Sequence, residues 1–317
     1  MRFDKIGLTN AQLRNFILCL AAFNFYAAAG TDSTSSHDRK NAKIYWQAHR
    51  GGGTHDRPDN TMAAFQYAWQ LGGIPEADIR TTRDGVIICL HDETLARTTD
   101  APAEVASVKA HLLDFGEIRK WDAGVKFAPD YQGEKVPSLL EVLNAMSGQP
   151  ERELYMDIKQ VDLVKTGRLI DSLHVAKQIL VASPKQAECK TLRSLAAGVR
   201  SMLWIGGSAQ EIADKFARAA ENGFDGLDQV QIHLNDRKEP SPWRYEVDPA
   251  LLQDALQQTA RNGIDLEVFV KQFTEADLHA LLDLGIRWYA TDEPRRFAQS
   301  VQNWRKQKTA DPLLKGE

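Results

Sequence analysis

The sequence of 317 residues is poor in cysteine and lacks the motifs of several common enzyme classes. Its three cysteines have no CxxC spacing, which argues against both a disulfide framework and a cysteine-rich zinc site. No GxSxG, HExxH or P-loop sequence occurs, which disfavours serine hydrolases, zinc proteases and P-loop nucleotide hydrolases. Neither sign of charge is in large excess. The net charge of −4 offers no global attraction to nucleic acid or to an anionic membrane.

The N-terminal segment contains an apolar run that is too short to span a membrane. The run covers residues 16–29, and its 14 residues are fewer than a helix needs to cross a bilayer. Basic residues precede the run and three alanines end it, a pattern typical of a secretory signal peptide over residues 1–29. An amphipathic N-terminal helix is the alternative. With a signal peptide, residues 30–42 form a polar linker, and we expect a secreted or periplasmic protein with no stable membrane span after signal removal.

Beyond residue 43, short apolar segments that predict strands alternate with segments that carry helix start and stop signals. Ser138 with Glu141, and Ser208 with Glu211, have the spacing of capping boxes. Gly285 has the position of a glycine that ends a helix. The nine predicted strands are residues 44–48, 76–81, 86–90, 154–158, 178–182, 201–205, 226–232, 264–270 and 287–291.

One pair of predicted strands departs from this alternation. Four residues separate segment 76–81 from segment 86–90, whereas a parallel crossover needs about a dozen, so the pair forms a hairpin. The other eight strands predict an α/β fold, a (β/α)8 TIM barrel with a β-hairpin excursion after strand two, in a single domain over residues 43–304. An open doubly wound sheet is the alternative, but no GxGxxG follows the first strand. Residues 305–317 are polar and are expected to fray.

The first two predicted strands end in residues suited to an anionic substrate and a metal. His49 and Arg50 follow strand one and lead into three glycines, so backbone and guanidinium could both approach an anion. Glu76 and Asp78 are two residues apart on strand two and therefore share a face. Two carboxylates inside a barrel repel each other unless a shared proton or a cation compensates. Oxygen ligands of this kind predict one divalent cation, Mg²⁺ or Ca²⁺.

The next strand ends add acid/base and cationic groups. His91 ends the return strand of the hairpin, and with His49 it could form an acid/base pair. Asp157 is a candidate third carboxylate ligand, and Lys159 shares its face. The lysine could place positive charge on a phosphate or form a salt bridge with Asp157. Together these groups predict metal-dependent cleavage of a phosphodiester.

Residues 48–100 resemble a known enzyme family. The segment AHRGGGTHDRPDNTMAAFQYAWQLGGIPEADIRTTRDGVIICLHDETLARTTD is similar in motif order and spacing to the glycerophosphodiester phosphodiesterase family. These barrel phosphodiesterases are related to phosphatidylinositol-specific phospholipase C. The similarity resumes at residues 133–143, 156–159 and 273–294, and it is thin from about residue 165 to residue 225.

The resemblance implies roles for the strand-end residues. It implies that His49 and His91 are the general acid/base pair, that Arg50 and Lys159 hold the phosphate, and that Glu76 and Asp78 bind the divalent cation. It further implies metal-dependent hydrolysis of glycerophosphodiesters to glycerol phosphate and an alcohol. In this family mechanism a glycerol hydroxyl attacks, and a cyclic phosphate is the intermediate. The expected partner is a small-molecule phosphodiester and not a nucleic acid.

Three positions depart from the family pattern. Asp59 replaces the glutamate of the PENT motif, and Asp157 replaces the glutamate of an E-x-K motif, so both carboxylates reach less far. We assign Asp59 to the substrate side of the site and Asp157 to the metal. Lys271 ends a stretch, VFVK, that replaces the family's WTVN. It could meet a more anionic head group or be a surface lysine.

Several alternatives stay open at this point. The substrate could be a lysophospholipid, an inositol phosphodiester or a sugar phosphodiester, or the barrel could bind phosphodiesters without turning them over. Gln229, Gln231 and His233 are possible substrate contacts on the sixth barrel strand. Cys89 and Cys189 could form a disulfide or remain free thiols, and the sequence leaves the oligomeric state undetermined.

Overall fold

A computed structural model describes residues 43–310 of the chain. The predicted signal peptide, the predicted linker up to residue 42 and the last seven residues lie outside the described part. Signal peptide, linker and secretion therefore stay predictions. Within residues 43–310, no helix is both long enough and apolar enough to cross a membrane.

Eight parallel strands close into a barrel, which confirms the predicted (β/α)8 fold. The first barrel strand pairs with the last, Ala48 opposite Thr291, and also with the second, Ala48 opposite Pro75. The strands are β1 (Tyr45–Ala48), β2 (Ile74–Thr81), β3 (Ile87–Cys89), β4 (Leu154–Ile158), β5 (Ile179–Ser183), β6 (Arg200–Ile205), β7 (Gln229–Leu234), β8 (Asp265–Val270) and β9 (Trp288–Thr291).

Strand β3 is the exception, because it runs antiparallel to β2 and forms the predicted hairpin. Gly85 occupies the turn with φ of 79°, a left-handed conformation that favours glycine. The guanidinium of Arg80 on β2 donates to the carbonyl oxygens of Leu90 and His91, with N···O distances of 2.7 to 3.2 Å. These bonds fix the chain where it leaves β3 and returns over the barrel mouth.

The predicted helix start and stop signals lie at the ends of helices. Capping boxes form at Ser138 and Ser208, and Gly285 ends its helix with φ of 102°. The helices are α1 (Gly53–Asp56), α2 (Met62–Gln70), α3 (Ala103–Ala106), α4 (Phe115–Ile118), α5 (Leu139–Met146), α6 (Leu163–Ser172), α7 (Gln186–Leu195), α8 (Ala209–Glu221), α9 (Pro249–Arg261), α10 (Glu275–Leu284) and α11 (Pro294–Ala310).

The last helix, α11, corrects one expectation. It continues through Ala310, past the predicted domain end at residue 304, so fraying over residues 305–310 is wrong. Trp304 is buried and donates from Nε1 to Asp283 at 2.9 Å, and Lys308 pairs with the same carboxylate at 2.8 Å. These contacts with α10 hold the polar end of the helix in place.

Alternation along the strands separates the core from the site. On β2, Ala77 and Ile79 pack outward against helices, whereas Glu76 and Asp78 face the barrel interior. The segment from β3 to α5 has a smaller apolar core of its own, which includes Ile88, Leu95, Ile118 and Val136. This separate core supports the excursion that carries His91.

The two cysteines in the described part are free and buried, so they do not pair. Cys89 and Cys189 both lie in the apolar layer between strands and helices. Burial raises the pKa of the Cys89 thiol well above its usual value and that of Cys189 to about 12. Thiols that stay protonated are weak nucleophiles and weak metal ligands, so neither residue is a candidate for the site.

Candidate active site

Three carboxylates meet inside the barrel near the C-terminal ends of β2 and β4. The parallel register places Asp78 opposite Asp157, and Glu76 lies one inward position earlier on β2. One oxygen from each of the three residues lies within 4.8 Å of the others, and all three residues are buried. The sequence predicted these three residues as metal ligands, and the structure brings them together.

Each carboxylate has a separate support. The Asn60 side-chain amide donates to Asp78 at 2.7 Å and accepts the Asp78 backbone N–H at 3.0 Å. The backbone N–H of Arg50 donates to Glu76 at 2.5 Å. Lys159 pairs with Asp157 at 2.6 Å and with Asp78 at 3.1 Å. The cluster is therefore held by residues that follow β1 and β4, and by Asn60 in the loop before α2.

The charges in this cluster are only partly balanced. Burial, with repulsion from the two aspartates, raises the pKa of Glu76 well above its usual value. Burial also raises the pKa of Asp157, to about 6, although Lys159 opposes the shift. For Asp78, burial is outweighed by Lys159, the two histidines and Asn60, which bring its pKa to about 2. Burial and mutual repulsion therefore oppose full ionisation of the cluster, and a bound cation would offset both effects.

The donor set fits a hard divalent cation. All three side chains offer oxygen, which is the ligand atom preferred by Mg²⁺ and Ca²⁺. Asp78 Oδ1 is buried and has no hydrogen-bond partner among the described residues; the ammonium of Lys159 lies 3.1 Å away. A buried carboxylate oxygen without a hydrogen bond is costly in a protein interior. A metal ion at this place would satisfy it.

Two histidines stand beside the carboxylates, each held by an aspartate. His49 Nδ1 lies 2.6 Å from Asp292, and His91 Nδ1 lies 2.7 Å from Asp92. A carboxylate at Nδ1 keeps the proton on that nitrogen, so Nε2 is the free acceptor. Burial lowers the pKa of His91, and this outweighs the opposite effects of Asp78 and Asp92. His91 is therefore neutral at neutral pH.

A cavity of about 140 Å³ at the barrel mouth connects these groups. Trp204, His233 and Phe269 form an aromatic wall on the side opposite His91. The lining residues are Gln47, His49, Glu76, His91, Asp157, Lys159, Ala182, Met202, Trp204, Gln231, His233, Phe269 and Ala290. A larger cavity of about 530 Å³ lies at the other end of the barrel, near Tyr45 and Ile74. It lacks the carboxylate cluster, and barrel enzymes act at the C-terminal end.

Three residues assigned from sequence take positions around this cavity rather than in its wall. Asp59 accepts from Arg50 at 3.0 Å and from Arg97 at 2.6 Å, so it holds two guanidinium groups. Arg50 Nε is buried and has no hydrogen-bond partner among the described residues. Lys271 is exposed after β8, and its Nζ lies 5.9 Å from the ring centroid of Phe269. It is a rim residue.

The sequence interpretation missed several residues of the site. Asp292 directly follows β9, so the strand-end rule would have found it if applied to the last strand. Arg97 donates to both Asp59 and Asp92 at 2.6 Å and links the surroundings of Arg50 and His91. No local pattern predicts such a bridge, because Asp59 lies in the loop before α2, whereas Asp92 and Arg97 lie in the loop after β3. Trp204 lies in the stretch where the family resemblance is thin.

Below the cavity, a buried polar network fills the barrel interior. Glu267 on β8 accepts from the Tyr155 hydroxyl at 2.7 Å and from the Gln231 amide. Gln231 also donates to Gln47 at 3.2 Å, and Gln229 accepts from Tyr155 at 2.9 Å. Of the three predicted substrate contacts, Gln231 and His233 line the cavity, whereas Gln229 lies below it. Burial raises the pKa of Glu267 to about 7.

Replacing Glu267 with glutamine is expected to remove a pH-dependent loss of stability. Between its usual pKa of 4.5 and about 7, Glu267 keeps its proton in the folded state and loses it on unfolding. The free energy of unfolding therefore falls as pH rises through this range, by about 3 kcal/mol in total. Urea unfolding at pH 5 and pH 8, with chelator present, should show this fall in wild type and a smaller one in Glu267→Gln. An equal fall in both proteins would contradict the assignment.

Comparison with known proteins agrees with this geometry. Residues 49–296 match the model of the glycerophosphoryl diester phosphodiesterase family. A glycerophosphodiester phosphodiesterase from Caldanaerobacter subterraneus subsp. tengcongensis is 26% identical over 264 residues, which cover 80% of this chain and 96% of the relative.

Solved structures share the barrel fold. A glycerophosphodiester phosphodiesterase from Agrobacterium tumefaciens has a TM-score of 0.62 at 24% identity, covering 81% of this chain and 99% of its own. A phosphodiesterase from Oleispira antarctica, solved in complex with the product sn-glycerol-3-phosphate, has a TM-score of 0.62 at 21% identity. That match covers 81% of this chain and 96% of the Oleispira chain.

Proposed function

Because this chain belongs to the glycerophosphoryl diester phosphodiesterase family and is a phosphoric diester hydrolase, we propose that it uses two histidines and one divalent cation to convert glycerophosphodiesters to glycerol phosphate and an alcohol. The observation that carries the proposal is the cavity where His49, His91 and Lys159 face a cluster of buried carboxylates. Supporting the substrate class, the Caldanaerobacter relative is a glycerophosphodiester phosphodiesterase, and the Oleispira structure holds sn-glycerol-3-phosphate as product.

The cation would be held by Glu76, Asp78 and Asp157. When bound, a divalent cation polarises phosphoryl oxygens and neutralises charge that develops during the reaction. The protein's own cationic groups act on the same charge. Lys159 lies at the cavity with its ammonium against Asp78 and Asp157, so it is close to where a phosphate would sit. The unpartnered Nε–H of Arg50 is a second candidate donor.

The two histidines divide the proton transfers. His91 is neutral at neutral pH, so its Nε2 accepts the proton of the attacking hydroxyl, and Asp92 stabilises the imidazolium that forms. His49 has the acid role: its Nε2 gives a proton to the departing alkoxide, and Asp292 at Nδ1 orients the ring. Attack by the glycerol hydroxyl beside the phosphate gives a cyclic phosphate, which water then opens.

The proposal is tested by phosphorus NMR on the metal-stripped protein with a panel of glycerophosphodiesters. Glycerol phosphate should form only after Mg²⁺ or Ca²⁺ is added, and a transient cyclic phosphate signal would identify the glycerol hydroxyl as the attacking group. The panel includes lysophospholipid, inositol and sugar phosphodiesters, with anionic and neutral head groups to examine the rim lysine Lys271. Tight binding without turnover of any member would contradict the proposal and favour a binding role.

Arg97 is expected to act as a positioning residue for this reaction. Its guanidinium joins Asp92, which holds His91, to Asp59, which holds Arg50. Arg97→Met should lower kcat/KM by about tenfold to 100-fold, as is typical for residues that orient a reacting group. Arg83→Met is the matched control, since Arg83 pairs with Asp114 on the exposed side of the same excursion. Equal activity of the two variants would show that Arg97 does not position the reacting groups.

A further inference from the structure

His233 lies in the cavity wall but takes no part in the proposed reaction. Its ring stacks on Trp204, with centroids 5.2 Å apart and planes 13° from parallel. The edge of Phe269 contacts it at 5.1 Å, and the same Phe269 ring lies 4.8 Å from the His49 ring. Two aromatic contacts therefore fix the plane of the His233 ring, and Phe269 alone separates it from His49.

The network below the cavity selects the tautomer of His233. Gln231 donates both hydrogens of its amide nitrogen, one to Gln47 and one to Glu267. Its amide oxygen can then only accept, and it lies 2.9 Å from His233 Nε2. His233 therefore carries its proton on Nε2 and points it down into the barrel. Nδ1 is left as an acceptor with no hydrogen-bond partner among the described residues.

A glycine leaves Nδ1 uncovered on one side. Gly206 stands beside it, and a Cβ at that position would lie 3.2 Å from Nδ1 and partly cover it. Burial lowers the pKa of His233 to about 3, and the charge of Lys271 and of His49 adds to this. The ring thus stays neutral, and the nearby positive charge disfavours an ammonium donor. An uncharged hydroxyl is the donor that suits this acceptor.

We propose that His233 Nδ1 accepts a hydrogen bond from the terminal hydroxyl of the substrate's glycerol unit. The inference rests on the proposed function, because it places the reacting phosphate between His49 and His91. The glycerol hydroxyl beside the phosphate is used as the attacking group. The terminal hydroxyl is the remaining donor of the glycerol unit, and His233 selects substrates that have it. Gln231 is a positioning residue that acts through the imidazole.

Two phosphodiesters with the same leaving alcohol test this assignment. One carries glycerol and the other propane-1,2-diol, which keeps the attacking hydroxyl and lacks the terminal one. Wild type should prefer the glycerol diester roughly tenfold in kcat/KM, the contribution expected of one hydrogen bond between neutral groups. In His233→Phe the preference should fall to within about twofold, whereas His233→Gln, whose amide oxygen can still accept, should keep part of it. His174→Phe is the surface control and should keep all of it.

The possible outcomes distinguish a failure of the His233 assignment from a failure of the proposed function. Equal kcat/KM of wild type for both diesters would overturn the role of His233 and leave the proposed function intact. No turnover of either diester with either metal would instead count against the proposed function itself. Nitrogen NMR of the imidazole gives a readout that does not depend on activity. The Nε2–H tautomer is expected in wild type, and Nδ1–H would overturn the inference even if His233→Phe failed to fold.

Discussion

Replacing His91 with alanine is expected to lower kcat by about 10²- to 10⁴-fold, the usual contribution of a positioned general base. The free Nε2 of His91 lines the cavity, and Asp92 fixes the opposite nitrogen at 2.7 Å. The other histidines among the described residues that line the cavity are His49, to which we assign the acid role, and His233, whose Nε2 is occupied. Steady-state kinetics on a glycerophosphodiester at saturating metal measures the effect.

The control for this variant is His55→Ala. His55 is exposed on α1, a few residues from His49, and its removal should leave kcat unchanged within about twofold. Both variants should bind metal as wild type does, since neither side chain belongs to the carboxylate cluster. If His91→Ala kept more than about a tenth of wild-type kcat, His91 would not be the base.

The pH dependence of kcat/KM is a second test of His91 as the base. Because burial lowers the pKa of His91 below 6.5, its base form persists to lower pH than that of an exposed histidine. On the acid side, kcat/KM should therefore fall only below pH 6.5, as the pH passes through the lowered pKa of His91 and the imidazole gains a proton. A fall that begins above pH 6.5 would assign the base to another group.

Replacing Glu76 with glutamine is expected to abolish metal-dependent activity without destabilising the metal-free protein. Activity should fall by more than about 10²-fold, because one of three carboxylate oxygens is lost from the cation site. Glu76 is buried beside two aspartates, and its raised pKa means that its charge opposes folding. The metal-free variant should equal or exceed wild type in stability, and its advantage should grow as pH rises and Glu76 ionises in wild type.

Metal titration distinguishes a loss of metal binding in Glu76→Gln from a folding defect. At 100 times its dissociation constant, a metal ion that binds only the folded state stabilises wild type by about 2.7 kcal/mol. Thermal unfolding should show that gain in wild type and in the control Glu93→Gln, whose carboxylate pairs with Lys109 on the surface. The gain should be absent in Glu76→Gln. A metal-free variant much less stable than wild type would contradict the electrostatic argument.

Local sequence patterns predicted the fold and the convergence of the three carboxylates. Strand alternation and helix caps can be recognised from only a few neighbouring residues. Glu76, Asp78 and Asp157 were identified because they occupy inward-facing positions on two strands. Their convergence is a consequence of parallel strand pairing, because β2 pairs with β4 and sets Asp78 opposite Asp157. The same rule brought Lys159 and His49 to one cavity.

Partners from distant parts of the chain could not be predicted in the same way. Arg97 joins two loops through aspartates whose positions depend on tertiary packing. The aromatic wall comes from three strands. The sequence indicated His233 as a possible substrate contact, whereas Trp204 and Phe269 look like ordinary core residues. The extension of α11 to Ala310 was missed because polar composition indicates exposure and says nothing of two anchoring contacts with Asp283. Each failure concerns side chains that meet through tertiary packing rather than through a local sequence pattern.

The hairpin that carries His91 gives the site a modular construction. The three carboxylates belong to barrel strands and His49 directly follows one, so any shift of these residues would disturb neighbouring strands on both sides. His91 instead arrives on an antiparallel return strand whose following segment has a small core of its own. Sequence changes within that segment can alter the spacing of acid and base while the barrel stays intact. Sequence variation in this one segment could therefore fit the same carboxylate cluster to phosphodiesters of different size.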